Sequence, residues 1–153
     1  MQIETKFFGL REIADNEIVT FKHGVPGFED CHDYTILQYK EESPFFVLQS
    51  VSAPDLALIL IEFSQVSPGF SFNIADEDVA EIGLSNPAEA VTYAVVVLPA
   101  DLSQATVNLA APIIINNQTR KAKQIIINNP AYSLRHPLFA DAEPVVNKKT
   151  AVR

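Results

Sequence analysis

Cys31-His32-Asp33 sets a thiol, an imidazole and a carboxylate side by side, the residue types of a nucleophile, its base and an orienting acid. Neighbours in an extended segment point to opposite faces, so a working triad is assembled by the fold from distant positions and not from three consecutive residues. Asp76-Glu77-Asp78 opens like a calcium loop, but the sixth and twelfth positions hold Glu81 and Pro87 where Gly and Glu are required. A helix start with Asp76 as N-cap reads better there, with acids in the first turn and Gly83 as the stop. The three histidines, His23, His32 and His136, are scattered, and no His or Cys pair has metal-ligand spacing. Five glycines make neither G-x-G-x-x-G nor a phosphate-cradling loop. Catalysis, cofactors and metals are therefore not expected, and a binding module is.

Charge is the stronger signal. The net charge is −8 over 153 residues. Between Glu41 and Asn117 there is no Lys or Arg, while ten acids occur: Glu41, Glu42, Asp55, Glu62, Asp76, Glu77, Asp78, Glu81, Glu89 and Asp101. Positive charge gathers after Gln118, at Arg120, Lys121, Lys123, Arg135, Lys148, Lys149 and Arg153. A long segment of one sign attracts basic partners and repels nucleic acid, so direct DNA or RNA binding is disfavoured. The lone Cys31 forms no internal disulfide, the start lacks a secretory signal, and the apolar runs Leu56 to Ile61 and Ala94 to Ala100 are short of a membrane span. A cytoplasmic monomer is expected.

The elements that would position these residues are mostly strands. Ile113-Ile114-Ile115 and Ile125-Ile126-Ile127 are β-branched runs, stiff at χ1 and suited to a pleated surface. With 117–123 as a connection they read as a hairpin within 107–129. Three consecutive Ile make both faces of a strand apolar, so cover is needed on both. Further strands are predicted at Ile3 to Phe8, Leu10 to Ile13 beyond a bend or bulge at Gly9, Glu17 to Phe21, Tyr34 to Tyr39, Phe45 to Ser50, Ala57 to Phe63, Phe70 to Ile74 and Thr92 to Leu98. Pro26-Gly27 fits a type II turn, with Phe28 as an apolar plug fixing it to the core. Asn86-Pro87 fits a cap followed by a first helical position, and Tyr132 to Phe139 should dock on the sheet. The fold class is all-β: a single compact antiparallel β-barrel-like domain with one or two short helices, over residues 1–139, followed by a flexible tail at 140–153.

Several stretches together resemble the flagellar assembly factor FliW family of bacteria. They are Gly24-Val25-Pro26-Gly27-Phe28-Glu29, Pro44-Phe45-Phe46-Val47-Leu48-Gln49-Ser50, Asn108-Leu109-Ala110-Ala111-Pro112-Ile113-Ile114-Ile115-Asn116, Lys123-Gln124 and His136-Pro137-Leu138. The resemblance implies a cytoplasmic regulator with two mutually exclusive partners. One is CsrA, a small basic RNA-binding dimer that represses flagellin mRNA; the other is the C-terminal region of flagellin. Binding of flagellin would leave CsrA free to repress, tying synthesis to export.

Physical reasoning, not the resemblance, selects the contact residues. Asp76, Glu77, Asp78 and Glu81 are the candidate electrostatic contacts to a basic partner. Phe70 and Phe72, on a strand beside that helix, are candidate apolar anchors, with core packing as the other reading. Asn108 and Pro112 lie in the densest stretch of the resemblance, as partner contacts or as structural residues. A small-ligand or carbohydrate-binding β domain is the alternative, though a chain with no Trp and four Tyr offers few aromatic platforms.

Overall fold

The computed structural model describes residues 1–139, and the expected tail at 140–153 lies outside them. Ten strands are formed: β1 (Gln2–Thr5), β2 (Gly9–Glu12), β3 (Ile18–Phe21), β4 (Asp33–Gln38), β5 (Phe45–Ser50), β6 (Ala57–Glu62), β7 (Ala90–Val97), β8 (Thr106–Asn116), β9 (Lys121–Gln124) and β10 (His136–Pro137). Two short helices, α1 (Phe63–Val66) and α2 (Asp76–Ile82), fall between β6 and β7. Strands β3 to β8 pair in sequence apart from one closing contact: β9 pairs with β8 and also with β3, so seven strands close into a barrel. Strand β10 is added beside β8, and β1–β2 form a separate hairpin.

The expected all-β barrel is thus observed, with one correction. The β3–β9 pairing is parallel, joining Thr20 with Lys121 and Phe21 with Ala122. No local pattern announces such a contact, because it depends only on where the two ends of the ring meet.

The unalternating Ile run is covered on both faces, as its composition demands. Ile113 and Ile115 point into the barrel with Val19, Phe21, Tyr34, Leu48, Leu60 and Tyr93. Ile114 points outward and is buried beneath α2 with Ile82 and Ile125. A third apolar layer, built on Ile61, Phe63, Ala94, Val96, Val107 and Leu109, lies outside the barrel wall under Phe70, Phe72, Tyr132 and Leu138. Burying a side chain of this size contributes about 2 kcal/mol, so the wall is held from both sides.

The bend expected at Gly9 is present: with φ +68° it ends the reversal between β1 and β2, and the Thr5 hydroxyl donates to its carbonyl at 2.7 Å. Three sequence expectations change. Strand β9 is displaced into the supposed connection: Lys121 to Gln124 form the strand, and Ile125 to Ile127 continue irregularly with Ile125 N–H and Ile127 N–H donating to Pro112 and Ala110. The Pro26-Gly27 turn is present, with Phe28 N–H donating to the Val25 carbonyl at 2.7 Å, but Phe28 is exposed and does not plug the core. Phe70 to Ile74 are not a strand; the chain there is irregular and lies over the outer apolar layer.

Tyr34 sits fully buried in the barrel, edge-on to Phe21 at 5.2 Å, and its hydroxyl has no hydrogen-bond partner among the described residues. Burial, with a smaller contribution from Cys31, pushes its phenol up to about 12. The folded state therefore holds this proton more tightly than the unfolded chain. Its contribution to stability is complete below the ordinary value of 10.0 and is lost as pH rises through about 12. Tyr34→Phe is expected to raise neutral-pH stability by about 1 kcal/mol, since an unsatisfied buried hydroxyl costs about that much. It should also flatten the alkaline decline. Urea melts at neutral pH and near pH 11 test both, and a destabilised Tyr34→Phe would show that the hydroxyl has a partner.

Candidate functional site

The segment from Ser67 to Glu89 crosses between β6 and β7 and lies over the outer wall of the barrel. In α2, Val79 and Ile82 face inward while Asp76 and Glu77 are exposed. The helix ends at Gly83, whose left-handed φ of +70° lets its N–H reach back to the Ala80 carbonyl. The N-cap is Ala75, not Asp76: Asp76 is already helical and no side chain caps the first turn. The three acids still lie where the helix dipole favours negative charge, worth a few tenths of a kcal/mol each.

Two of the four candidate acids are spent on structure. Lys123 of β9 reaches Asp78 at 2.6 Å and Glu81 at 3.2 Å. These partners, Asp78 first, raise the Lys123 ammonium above its usual range against the opposing effect of burial. His23 Nε2 stands 3.6 Å from Glu81 as well. This leaves Asp76 and Glu77 as the acids projecting to solvent. The helix is anchored below by Asn116, fully buried, whose amide donates to the Ile82 carbonyl at 2.9 Å and whose oxygen accepts from Gln118 and Thr119 N–H.

Beside α2 lies a groove of about 540 Å³ lined by Phe70, Phe72, Ile74, Val79, Leu84 and Pro87, among others. Phe70 and Phe72 stack with centroids 5.5 Å apart and both rest on Phe63, at 4.7 and 5.6 Å. Tyr132 closes the cluster, its hydroxyl donating to the Ser71 carbonyl and accepting from the Ser71 N–H, both at 3.1 Å. The two phenylalanines are half-buried, so each belongs to the outer core and also offers an edge to the groove.

Asn108 and Pro112 line neither this groove nor the other large one. Between them β8 bulges: five residue steps from Asn108 to Ile113 span what two steps of β7, Tyr93 to Val95, span. The Asn108 oxygen accepts from Ala110 and Ala111 N–H inside that bulge, and Pro112 is buried. Both residues shape the barrel wall.

Cys31, His32 and Asp33 do not converge. His32 Nδ1 lies 2.9 Å from the Phe21 carbonyl, Asp33 accepts from the Thr20 hydroxyl at 3.0 Å, and Cys31 is half-buried against the barrel core. Among the described residues, no three His, Cys, Asp or Glu side chains cluster as metal ligands would.

The ten acids are not one continuous face. Glu41 and Glu42 lie in the β4–β5 connection, Glu62 ends β6, and Asp76, Glu77, Asp78, Glu81 and Glu89 lie in the β6–β7 connection. That connection carries α2 out over the wall at Ile114 and Ile125, so that Glu81 reaches His23 of the β3–β4 loop, while Asp55 and Asp101 lie in the β5–β6 and β7–β8 connections.

Comparison with known proteins decides the family. The model of the FliW protein family matches residues 2–138, nearly the whole described barrel. This chain belongs to the FliW family. Flagellar assembly factor FliW of Natranaerobius thermophilus is 37% identical over 142 residues, covering 92% of this chain and 94% of the relative. FliW of Ruminiclostridium cellulolyticum is 36% identical, covering 94% and 97%, and that of Thermoanaerobacter pseudethanolicus 35%, covering 92% and 95%. A crystal structure of the flagellar assembly factor FliW superposes with a TM-score of 0.85 at 33% identity, covering 92% of this chain and 99% of that one. The stretches that suggested the FliW family are structural when seen in place. Gln49, fully buried, accepts from Lys6 N–H at 3.0 Å and donates to the Ser50 and Pro54 carbonyls, and Ser50 Oγ accepts from Ser52 and Ala53 N–H. Sequence reading missed Gln49, Asn116 and Lys123 as positioning residues. An amide within or at the end of an apolar strand was the available sign.

Proposed function

We propose that this flagellar assembly factor is a cytoplasmic, non-catalytic regulator that binds the basic RNA-binding dimer CsrA and, alternatively, the C-terminal region of flagellin. The observation that carries the CsrA reading is the joining of an acidic helix to an apolar groove over the outer wall of the barrel. Asp76 and Glu77 would steer a basic protein, and the groove would take an apolar side chain from it. The same acids, held beside the partner, would repel the RNA with which it competes. The flagellin reading is supported by the relatives' description as flagellar assembly factors. In stopped-flow mixing with CsrA, the on-rate is expected to fall about tenfold as salt is raised through the physiological range. Asp76→Lys with Glu77→Lys should lower the on-rate further at low salt and leave the melting temperature in place. Asp78→Lys should instead cost stability, because it expels Lys123 from its pair. Salt-independent association, or none, sinks the CsrA reading; a pull-down with flagellin tests the other partner separately.

A further inference from the structure

The described residues carry eleven exposed large apolar side chains, and six of them line one groove: Phe7, Tyr39, Val97, Leu98, Leu102 and Phe139. It encloses about 680 Å³ and runs over the outer wall of β5, β6 and β7, away from α2. Exposed apolar surface concentrated in this way marks a contact surface, whereas single exposed residues do not.

The one charged side chain in the groove lining is Lys6, and two further cations stand at its border, Lys40 ahead of Glu41 and Glu42. Lys6 lines the groove with its ammonium 5.6 Å from the Phe7 ring centroid, and Lys40 sits 5.9 Å from that of Tyr39. Arg11 stands 4.8 Å from the ring of Phe8, which packs edge-on against Tyr39. Three of the four cations in the first forty residues are thus gathered at this border. The nearby Asp101 is turned onto Ser103, accepting from its hydroxyl at 2.7 Å and its N–H at 3.1 Å.

Shape selects the kind of partner. A peptide joins a protein as a strand only at a free sheet edge, and β5, β6 and β7 are each paired on both sides. Three strands side by side span about 10 Å between their axes, close to the roughly 10 Å width of a helix. A helix laid in such a groove presents residues i, i+3, i+4 and i+7 to it.

We propose that this groove docks an amphipathic helix of a partner protein, one whose apolar stripe is bordered by carboxylates. It is a second binding surface, sharing no residue with the α2 groove and attracting the opposite charge.

Fluorescence anisotropy on the full chain tests the proposal with two designed helices of about 18 residues that share one Leu stripe, one bordered by Glu and the other by Lys. The Glu-bordered helix should bind about tenfold or more tightly than the Lys-bordered one. Val97→Asp with Leu102→Asp should weaken it by a further tenfold or so; both side chains are exposed, so the melting temperature should hold. Lys6→Glu with Lys40→Glu should invert the preference between the two helices. Equal binding of both helices, or binding indifferent to these substitutions, overturns the proposal. So does saturation of the groove by decanoate alone, self-association abolished by Val97→Asp, or helix binding that appears only after residues 140–153 are removed. Those three results would assign the groove to a fatty acyl chain, a second copy or the chain's own end.

Discussion

Gly24→Ala is expected to destabilise the barrel by about 3 kcal/mol, the largest effect of an alanine at any of the five glycines. Gly24 has a left-handed φ of +71°, and a Cβ placed on it would stand 2.7 Å from the Cα and carbonyl oxygen of Glu29. Left-handed backbone costs an alanine about 1 kcal/mol. The larger part comes from the clash, because the atoms met are backbone and cannot rotate away. The loop from Lys22 to Glu29 is folded back on itself: Gly24 N–H donates to the Phe21 carbonyl at 3.0 Å, Phe28 N–H to Val25, and the Glu29 carboxylate accepts from Gly27 N–H at 3.0 Å. Gly27→Ala is the control. Its φ is +91° but nothing lies within 4 Å of a Cβ there, so only the conformational cost of about 1 kcal/mol applies. Urea melts of the two variants should differ by about 2 kcal/mol, and equal losses would show that the close approach to Glu29 is relieved by loop movement.

Phe63→Ala should cost about 4 kcal/mol, the usual range for a fully buried aromatic. Phe63 is 0% exposed and is touched by Phe70, Phe72 and Tyr132 with centroids between 4.7 and 5.8 Å. No strand pairing holds the Phe70 to Ile74 segment; it is held by this ring, by the Tyr132–Ser71 hydrogen bonds and by Phe72 and Ile74 packing on the Ile82, Ile114 and Ile125 cluster. The variant should therefore lose amide-exchange protection at residues 70–74 before the barrel itself opens. It should also bind a basic partner more weakly through a disordered groove, although Phe63 itself touches none. Hydrogen exchange read by mass spectrometry checks the order of events. Uniform loss of protection across β5 to β8 would instead mean that Phe63 supports the whole wall.

The comparison between sequence and structure has a consistent physical cause. Strands β4, β5, β6 and β7 were legible because β-branched and aromatic residues cluster between Pro, Asp and Gly punctuation, and each needs only its neighbour in sequence. Strand β9 was misplaced because the residues on its inward side are a small Ala122 and a polar Gln124 and its outward ones, Lys121 and Lys123, are charged, whereas the conspicuous Ile125-Ile126-Ile127 run leaves the sheet with Ile126 exposed. Phe28 was misread as a plug because side-chain type alone does not report which way a turn faces. At the site, the acids of α2 were legible as a group, but their division into free and paired members was not. That division depends on Lys123, forty-five positions from Asp78 and brought there by the hairpin.

The parallel contact between β3 and β9 sets a schedule for the newborn polypeptide. Thr20 cannot meet Lys121 until about 100 further residues have been added, roughly 5 to 20 s at bacterial elongation rates. Through that interval the outer side of β3 carries bare N–H and C=O groups beside an unfinished ring, ready to pair with another growing chain on the same messenger. A ribosome stalled before Lys121 would therefore hold a template for intermolecular strand exchange, whereas a chain freed after Gln124 has been added carries every strand the ring needs to shut.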